Sequence, residues 1–347
     1  MSDTIGAFTG KPGKVQRESK ALVRELVIFG FLLLLVALLR VPSLNLPFEN
    51  DSGDHAYHAW LILEGFPIYS IHHPAHHMPG VYYLYALAFR LMDMGPFAIK
   101  LFLIGWLGVT VYLIYRLGRQ VANRSVGLLA AILSAILLAH LGLSAHSARR
   151  ELFVLLPHVA TLLVLFALLR RNDASWKFGL VGLFAAGAFL IKANYLSPLA
   201  LAAIAILFDL WRHPGRAGLQ TFLRRSMWIG AGFVAAVAPV FLYFAGQGLL
   251  DRFLMVFQLG QRYLAVRPHP TLTSPVYIIL YPLALLAMNN AAILIFATTA
   301  LFFIAAEALR RHRQAGEVHP HLDHIPRCSR NLRGDRDITP REPVQKR

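Results

Sequence analysis

The residues best equipped for chemistry lie between positions 48 and 87, in FENDSGDHAYHAWLILEGFPIYSIHHPAHHMPGVYYLYAL. Three carboxylates, Glu49, Asp51 and Asp54, directly follow an apolar run. An ionised carboxylate there can take a proton from a hydroxyl group as a general base. The stretch from Asp54 to Glu64 fits a short amphipathic helix at a membrane interface, stopped by Gly65-Phe66-Pro67. At the start of that helix Asp54 suits a base, a metal ligand or a plain N-cap. Next come His72, His73, His76 and His77. Imidazoles bind metals, but Pro74 prevents a clean helical pair and no cysteine lies near. The spacing matches no metal-ligand motif, so no metal or other cofactor is expected. A divalent ion is the weaker reading, and hydrogen bonds from the histidines to a phosphate or sugar are the stronger one.

A second set of charges falls in Ser147-Ala148-Arg149-Arg150-Glu151, at the head of an apolar run. Two adjacent guanidinium groups offer a phosphate site, and the helix start favours the Glu151 carboxylate. The alternative is a local charge pair that anchors the helix end. Lys192 interrupts the apolar run Phe189-Leu190-Ile191 before Asn194 and Tyr195. A lone lysine in such surroundings is a functional candidate, with snorkelling to the interface as the other reading. Arg262, with Arg267 beyond it, stands in a weaker Arg- and aromatic-rich stretch between Gln247 and Ser274.

Lipid-embedded helices must position these groups. Apolar residues make up 56% of the chain and charged residues 15%, against about 25% charged in soluble domains. The expected fold is an all-α bundle of about eight spanning helices, with interfacial helices in the first outward loop. The spans are read at about 25–43, 97–115, 127–144, 152–169, 178–195, 196–211, 226–245 and 289–308. The apolar stretch 275–288 reads as interfacial or re-entrant, or as a ninth span. Loops on one side hold 18 Lys and Arg and those on the other 7. The basic side is expected in the cytoplasm and the acidic loop outside. The domain reading is a cytoplasmic segment over 1–24, a transmembrane domain over 25–313 and a disordered basic cytoplasmic tail over 314–347.

The first span lacks a small-x-small cleavage site and reads as an uncleaved anchor. The single cysteine, Cys328, excludes internal disulfides and a cysteine-based zinc cage. No glycine-rich phosphate loop, Ser-His-Asp order, internal repeat or nucleic-acid motif is present. The net charge of +16 is explained mainly by cytoplasmic loops facing anionic lipid.

The residues from Asp54 through Glu64-Gly65-Phe66-Pro67-Ile68-Tyr69, then His77-Met78-Pro79-Gly80 and Tyr82-Tyr83-Leu84-Tyr85, resemble the polyprenol-phosphate-sugar-dependent membrane glycosyltransferases of C-type fold. That group, which includes glycosyltransferase family 39, holds the protein O-mannosyltransferases and the lipid A aminoarabinose transferases. The resemblance runs on through Arg149-Arg150-Glu151 and Gly187 to Lys192, and covers roughly residues 25 to 310. Two positions depart from the family pattern: His55 stands where a second acid is common, and His77-Met78-Pro79-Gly80 replaces Lys-Pro-Pro.

The resemblance implies inverting transfer of a hexose or pentose from a polyprenyl-phosphate donor at the outer face of a cell membrane, as in bacterial cell-envelope glycosylation. The acceptor would be a hydroxyl of a lipid, glycan or protein. Asp54 and Glu151 would be catalytic, the first as base and the second orienting hydroxyls. Arg149, Arg150, Lys192 and Arg262 would hold the donor phosphate. His55, Tyr57, His58, His73, His77, Tyr82 and Tyr83 would line the substrate, with Trp60 and Tyr85 nearby. Two other classes stay open: a transporter or flippase of an anionic lipid-linked substrate, and a truncated non-catalytic relative. A flippase would place polar groups inside several spans, whereas here they gather at the outward ends.

Overall fold

The computed structural model describes residues 12–266 apart from 72–73, 141–146, 172–173 and 194, with backbone alone at 12–15, 17–18 and 260–266. The chain divides into two compact units, Met1–Pro282 and Leu283–Arg347, and every described residue lies in the first. The expected span at 289–308, the stretch 275–288 and the tail from 314 lie outside the described residues.

Every element among the described residues is helical: α1 Pro12–Arg40, α2 Asn50–Leu63, α3 Pro79–Leu91, α4 Pro96–Val121, α5 Arg124–Leu138, α6 Arg150–Arg171, α7 Gly179–Ile191, α8 Ser197–Arg212, α9 Arg216–Gly246 and α10 Leu250–Val266. Prolines at the first or second position start α3, α4 and α8, where a missing N–H costs nothing. Asn123 caps α5, its side chain accepting from the Val126 amide at 3.0 Å.

Among the described residues, four segments are long and apolar enough to cross a membrane: Ser19–Ser43, Pro96–Val121, Arg150–Arg171 and Arg216–Gly246. The spans expected at 127–144, 178–195 and 196–211 fall on the shorter helices α5, α7 and α8. Lys192 ends α7 and leaves an extended step before α8. α4 packs on α1, α5 and α6, while α7 packs on α6 and α9. Their buried faces form one main apolar core, joined by Tyr82, Tyr85 and Phe153.

Two buried cations fix the ends of the bundle. Arg40 donates to the carbonyls of Leu138 at 2.8 Å and Ser147 at 3.0 Å. Lys100 donates to the carbonyls of Ser43, at 2.7 Å, and Leu46. The Leu138 carbonyl belongs to the last turn of α5, where no amide of the helix follows to bond it, and both cations stand on the acidic-loop side, outside the loop count. At the opposite end Glu25 joins α1 to α4 through Arg119 and Tyr112. α1 and α4 are therefore antiparallel.

α3 meets α7 closely at Gly80. A Cβ there would lie 2.6 Å from the Leu190 carbonyl oxygen. Gly80→Ala, in the first turn of α3, gains less than the ~1 kcal/mol of helix propensity available in a helix interior and forces the backbones apart, an overpacking cost of about 1–3 kcal/mol. The variant should melt at lower temperature in detergent. An unchanged or raised midpoint would mean that α3 has room to move.

Candidate active site

The first loop forms two helices joined by a fixed turn. α2 begins at Asn50, with Glu49 in the N-cap position, so the expected start at Asp54 is too late. Asp51 takes the place at the helix dipole, and Asp54 stands in the second turn rather than capping the first. The Glu49 side chain does not cap either, because Arg149 grips both of its oxygens at 2.7 Å. That fork holds the Glu49 carboxyl below the usual carboxylate range. α2 ends as Gly65-Phe66-Pro67 foretells. Gly65 adopts φ 85°, its amide bonds the Ile62 carbonyl, and the Phe66 amide bonds that of Leu61. This is a Schellman stop, which glycine makes without strain.

Tyr69 follows with φ 67°, a conformation that costs a non-glycine residue energy unless its surroundings hold it. Its hydroxyl donates to the His77 carbonyl at 2.7 Å, and its ring packs on Phe244 and Phe253. His77 is thereby delivered to the start of α3, and its amide donates to the Tyr82 hydroxyl at 3.2 Å.

Asp54 and His58, one turn apart on α2, form the centre. His58 Nε2 lies 3.3 Å from Asp54 Oδ1. His55, His58 and His77 pack around the buried Tyr82 ring, at centroid distances of 5.7, 5.0 and 6.4 Å. The His76 ring lies tilted against that of His77, with centroids 4.0 Å apart. Burial pushes the Asp54 carboxyl up, but the hydrogen bond with His58 and the nearby His58, His76 and His55 outweigh it and hold the group below its usual value. Asp54 is ionised at neutral pH. Burial pushes His55 down to about 4, against the attraction of Asp54, so this ring is neutral. His77 is also lowered, first by burial and then by Arg150.

The basic groups arrive from α6 and α7. Arg150 contacts His77 Nδ1 and lies 3.5 Å from Glu151 Oε1. Lys192 Nζ donates to the same Glu151 oxygen at 2.6 Å and stands over the Tyr195 ring. A chain of contacts thus runs from Asp54 through the histidines to Arg150, Glu151 and Lys192. Ser52, which carries no motif or spacing signal, ties α2 to the second loop by accepting from the Ala148 amide at 3.2 Å. Tyr85 donates to the Ala148 carbonyl.

Beside this polar chain lies an apolar groove of about 440 Å³, lined by Pro79, Gly80, Tyr83, Leu190, Tyr243 and Phe244 among others. Pro79 and Gly80 follow the His76-His77 pair after Met78, and Leu190 precedes Lys192 by two residues, so charge and grease adjoin. Such a junction suits a ligand with an anionic head and a hydrocarbon tail. Tyr57 and Trp60 are exposed on the outer side of α2, with rings 5.9 Å apart. His73, Arg267 and the side chain of Arg262 lie outside the described residues.

The helical bundle thus gathers carboxylate, imidazole and basic groups at one end. Residues 72–244, about half of the chain, match the family model for dolichyl-phosphate-mannose-protein mannosyltransferase, and the chain belongs to that family. No curated protein matches the chain. His77, Tyr82, Tyr83, Arg149, Arg150, Glu151 and Lys192 fall inside the matched segment, whereas Asp54, His55, Tyr57 and His58 precede it.

Proposed function

We propose that the protein transfers a hexose, mannose in the first instance, from a polyprenyl-phosphate donor to a hydroxyl acceptor with inversion. The observation that carries this reading is the junction of ionised Asp54, the cations Arg150 and Lys192, and the apolar groove beside Pro79 and Gly80. The polyprenyl tail occupies the groove and the phosphate meets the two cations. Asp54 accepts the proton of the acceptor hydroxyl as its oxygen bonds to the anomeric carbon. The bond from that carbon to the phosphate oxygen breaks, and the electron pair leaves with polyprenyl phosphate. Arg150 and Lys192 stabilise the charge that develops there. Glu151, held by Lys192, orients a sugar or acceptor hydroxyl, and Tyr57, Trp60 and Tyr83 offer faces for sugar or lipid. Arg149 contributes by clasping Glu49 and so seating α2.

The direct test is transfer of radiolabelled mannose from polyprenyl-phosphate mannose to a peptide or glycolipid acceptor by purified protein. Label appearing in the acceptor with release of polyprenyl phosphate is expected. Movement of intact donor between leaflets without cleavage would favour a flippase instead.

The loop and its site are assigned to the outer face by the distribution of basic residues. In a Cys328→Ser background, Ile71→Cys, which is 72% exposed, should react with an impermeant maleimide on intact cells. Ala174→Cys, on a loop at the other end of the helices, should react only after permeabilisation. The reverse pattern would turn the site towards the cytoplasm.

A further inference from the structure

We propose that Asp54, His58 and His76 form a binding site for one divalent transition-metal ion of the zinc class. The proposal deepens the reading of Asp54 as a reacting group, and its test needs no turnover. Asp54 and His58 sit at i and i+4 on α2, so their side chains share one face. His76 comes from the loop before α3. One ligand atom from each of the three residues lies within 4.8 Å of the others. A tetrahedral zinc ion, with bonds of about 2.0–2.2 Å, holds its ligand atoms about 3.3 Å apart. The His58 Nε2 to Asp54 Oδ1 separation is already 3.3 Å. His76 is exposed and loop-borne, so a small swing of its ring closes the third edge. Two imidazoles and one carboxylate are a ligand set that divalent transition metals accept, and they leave a coordination position open.

A second cluster, Asp54 with His55 and His77, meets the same distance limit. It fits a dication less well. Arg150 contacts His77 Nδ1, which puts a positive charge at that edge. Donation from the guanidinium also leaves the ring proton on Nε2, so His77 has no lone pair to give. His55 supports the proposal in another way. It is 1% exposed, and neither ring nitrogen has a hydrogen-bond partner among the described residues. Asp54 Oδ2 is buried and unpartnered too. Buried polar atoms are nearly always satisfied, and a cation on Asp54 gives this corner a counter-charge. The two oxygens of the carboxylate let Asp54 hold the ion through one and accept a proton at the other.

The test is zinc binding by the purified, tag-free full-length chain in detergent. The protein is stripped with a chelator, equilibrated with zinc chloride and analysed by isothermal titration and metal content. The far tail carries His319, His321 and His324, so every variant is measured in a background with all three replaced by Ala. One ion per chain is expected there. Loss of outer-sphere partners alone weakens metal sites about 10–100-fold, so His76→Ala and His58→Ala should each raise Kd by about 100-fold or more. His76 is exposed, and its replacement removes only its ring contact with His77. His58 is buried, so its variant is judged only if it keeps the parent melting temperature without metal. Added zinc should raise that temperature in the background protein and not in His76→Ala. His213→Ala, at the far end of α8, should change nothing. Absence of zinc binding in the background protein overturns the site. So does binding that survives His76→Ala, or that is lost on His55→Ala or His77→Ala instead.

Discussion

Replacing Asp54 with Asn should reduce sugar transfer by about 10²–10⁴-fold, the usual value of a positioned general base. That range corresponds to about 3–5 kcal/mol of barrier. Asn keeps the size of Asp54 and still accepts the hydrogen bond from His58, 3.3 Å away, but it cannot take a proton. Yield and melting temperature should therefore stay close to those of the parent, while the rate of the transfer step falls. Donor binding, measured in the absence of acceptor, should be little changed because the phosphate meets Arg150 and Lys192. A fall of less than tenfold with normal folding would remove Asp54 from the reaction. Zinc binding by His76→Ala provides the second axis: loss of metal with transfer retained would separate the ion from proton removal.

The second large effect is expected at the cations. Lys192→Met keeps the apolar stem and deletes the charge that Glu151 now holds at 2.6 Å, and Arg150→Gln deletes the group that contacts His77 and Glu151. Charge-assisted hydrogen bonds are worth about 1.5–3 kcal/mol. Each variant should therefore lose about 10–100-fold in kcat/KM for the donor, with most of the loss in donor affinity. If both groups contact one phosphate, the double variant should lose less than the product of the two single losses. Glu151→Gln discriminates further. Should Lys192 serve only to hold Glu151, adding Lys192→Met to Glu151→Gln would cost nothing more. A further drop in donor affinity on that background assigns the lysine to the phosphate. Lower yield of inserted protein with donor affinity unchanged would make it an interfacial anchor.

Much of the scaffold is written in local sequence. Apolar runs broken by charged loops mark α1, α4, α6 and α9, and Gly65-Phe66-Pro67 marks the end of α2. The start of α2 was harder to read, because Glu49, Asn50, Asp51 and Ser52 look like a cluster of capping residues. Glu49 sits at the cap position, yet its side chain is drawn away by Arg149, 100 positions along the chain. No periodicity encodes such a pairing. The same is true of Tyr85 on Ala148 and of Lys192 on Glu151: the sequence exposes the charges, and only the packing of α3, α6 and α7 makes them neighbours. Asp54 and His58 are four residues apart in a helical stretch, and that spacing, rather than the run of four histidines, is what the fold joins to His76. The span expected over 178–195 stops with α7 at Ile191, because hydropathy does not register where a helix yields to a loop.

The hydroxyl of Tyr69 on the carbonyl of His77 turns the intervening stretch into a closed link of fixed perimeter. One end of the link is pinned against Phe244 and Phe253 and the other delivers an imidazole to the centre. Apart from His76, its side chains can drift with little consequence, but its residue count cannot change, since one more or one fewer would shift His76 and His77 along the start of α3. Among relatives that keep this tyrosine and its partner, substitutions should be frequent inside the link at positions other than His76, while insertions and deletions are displaced to either side of it.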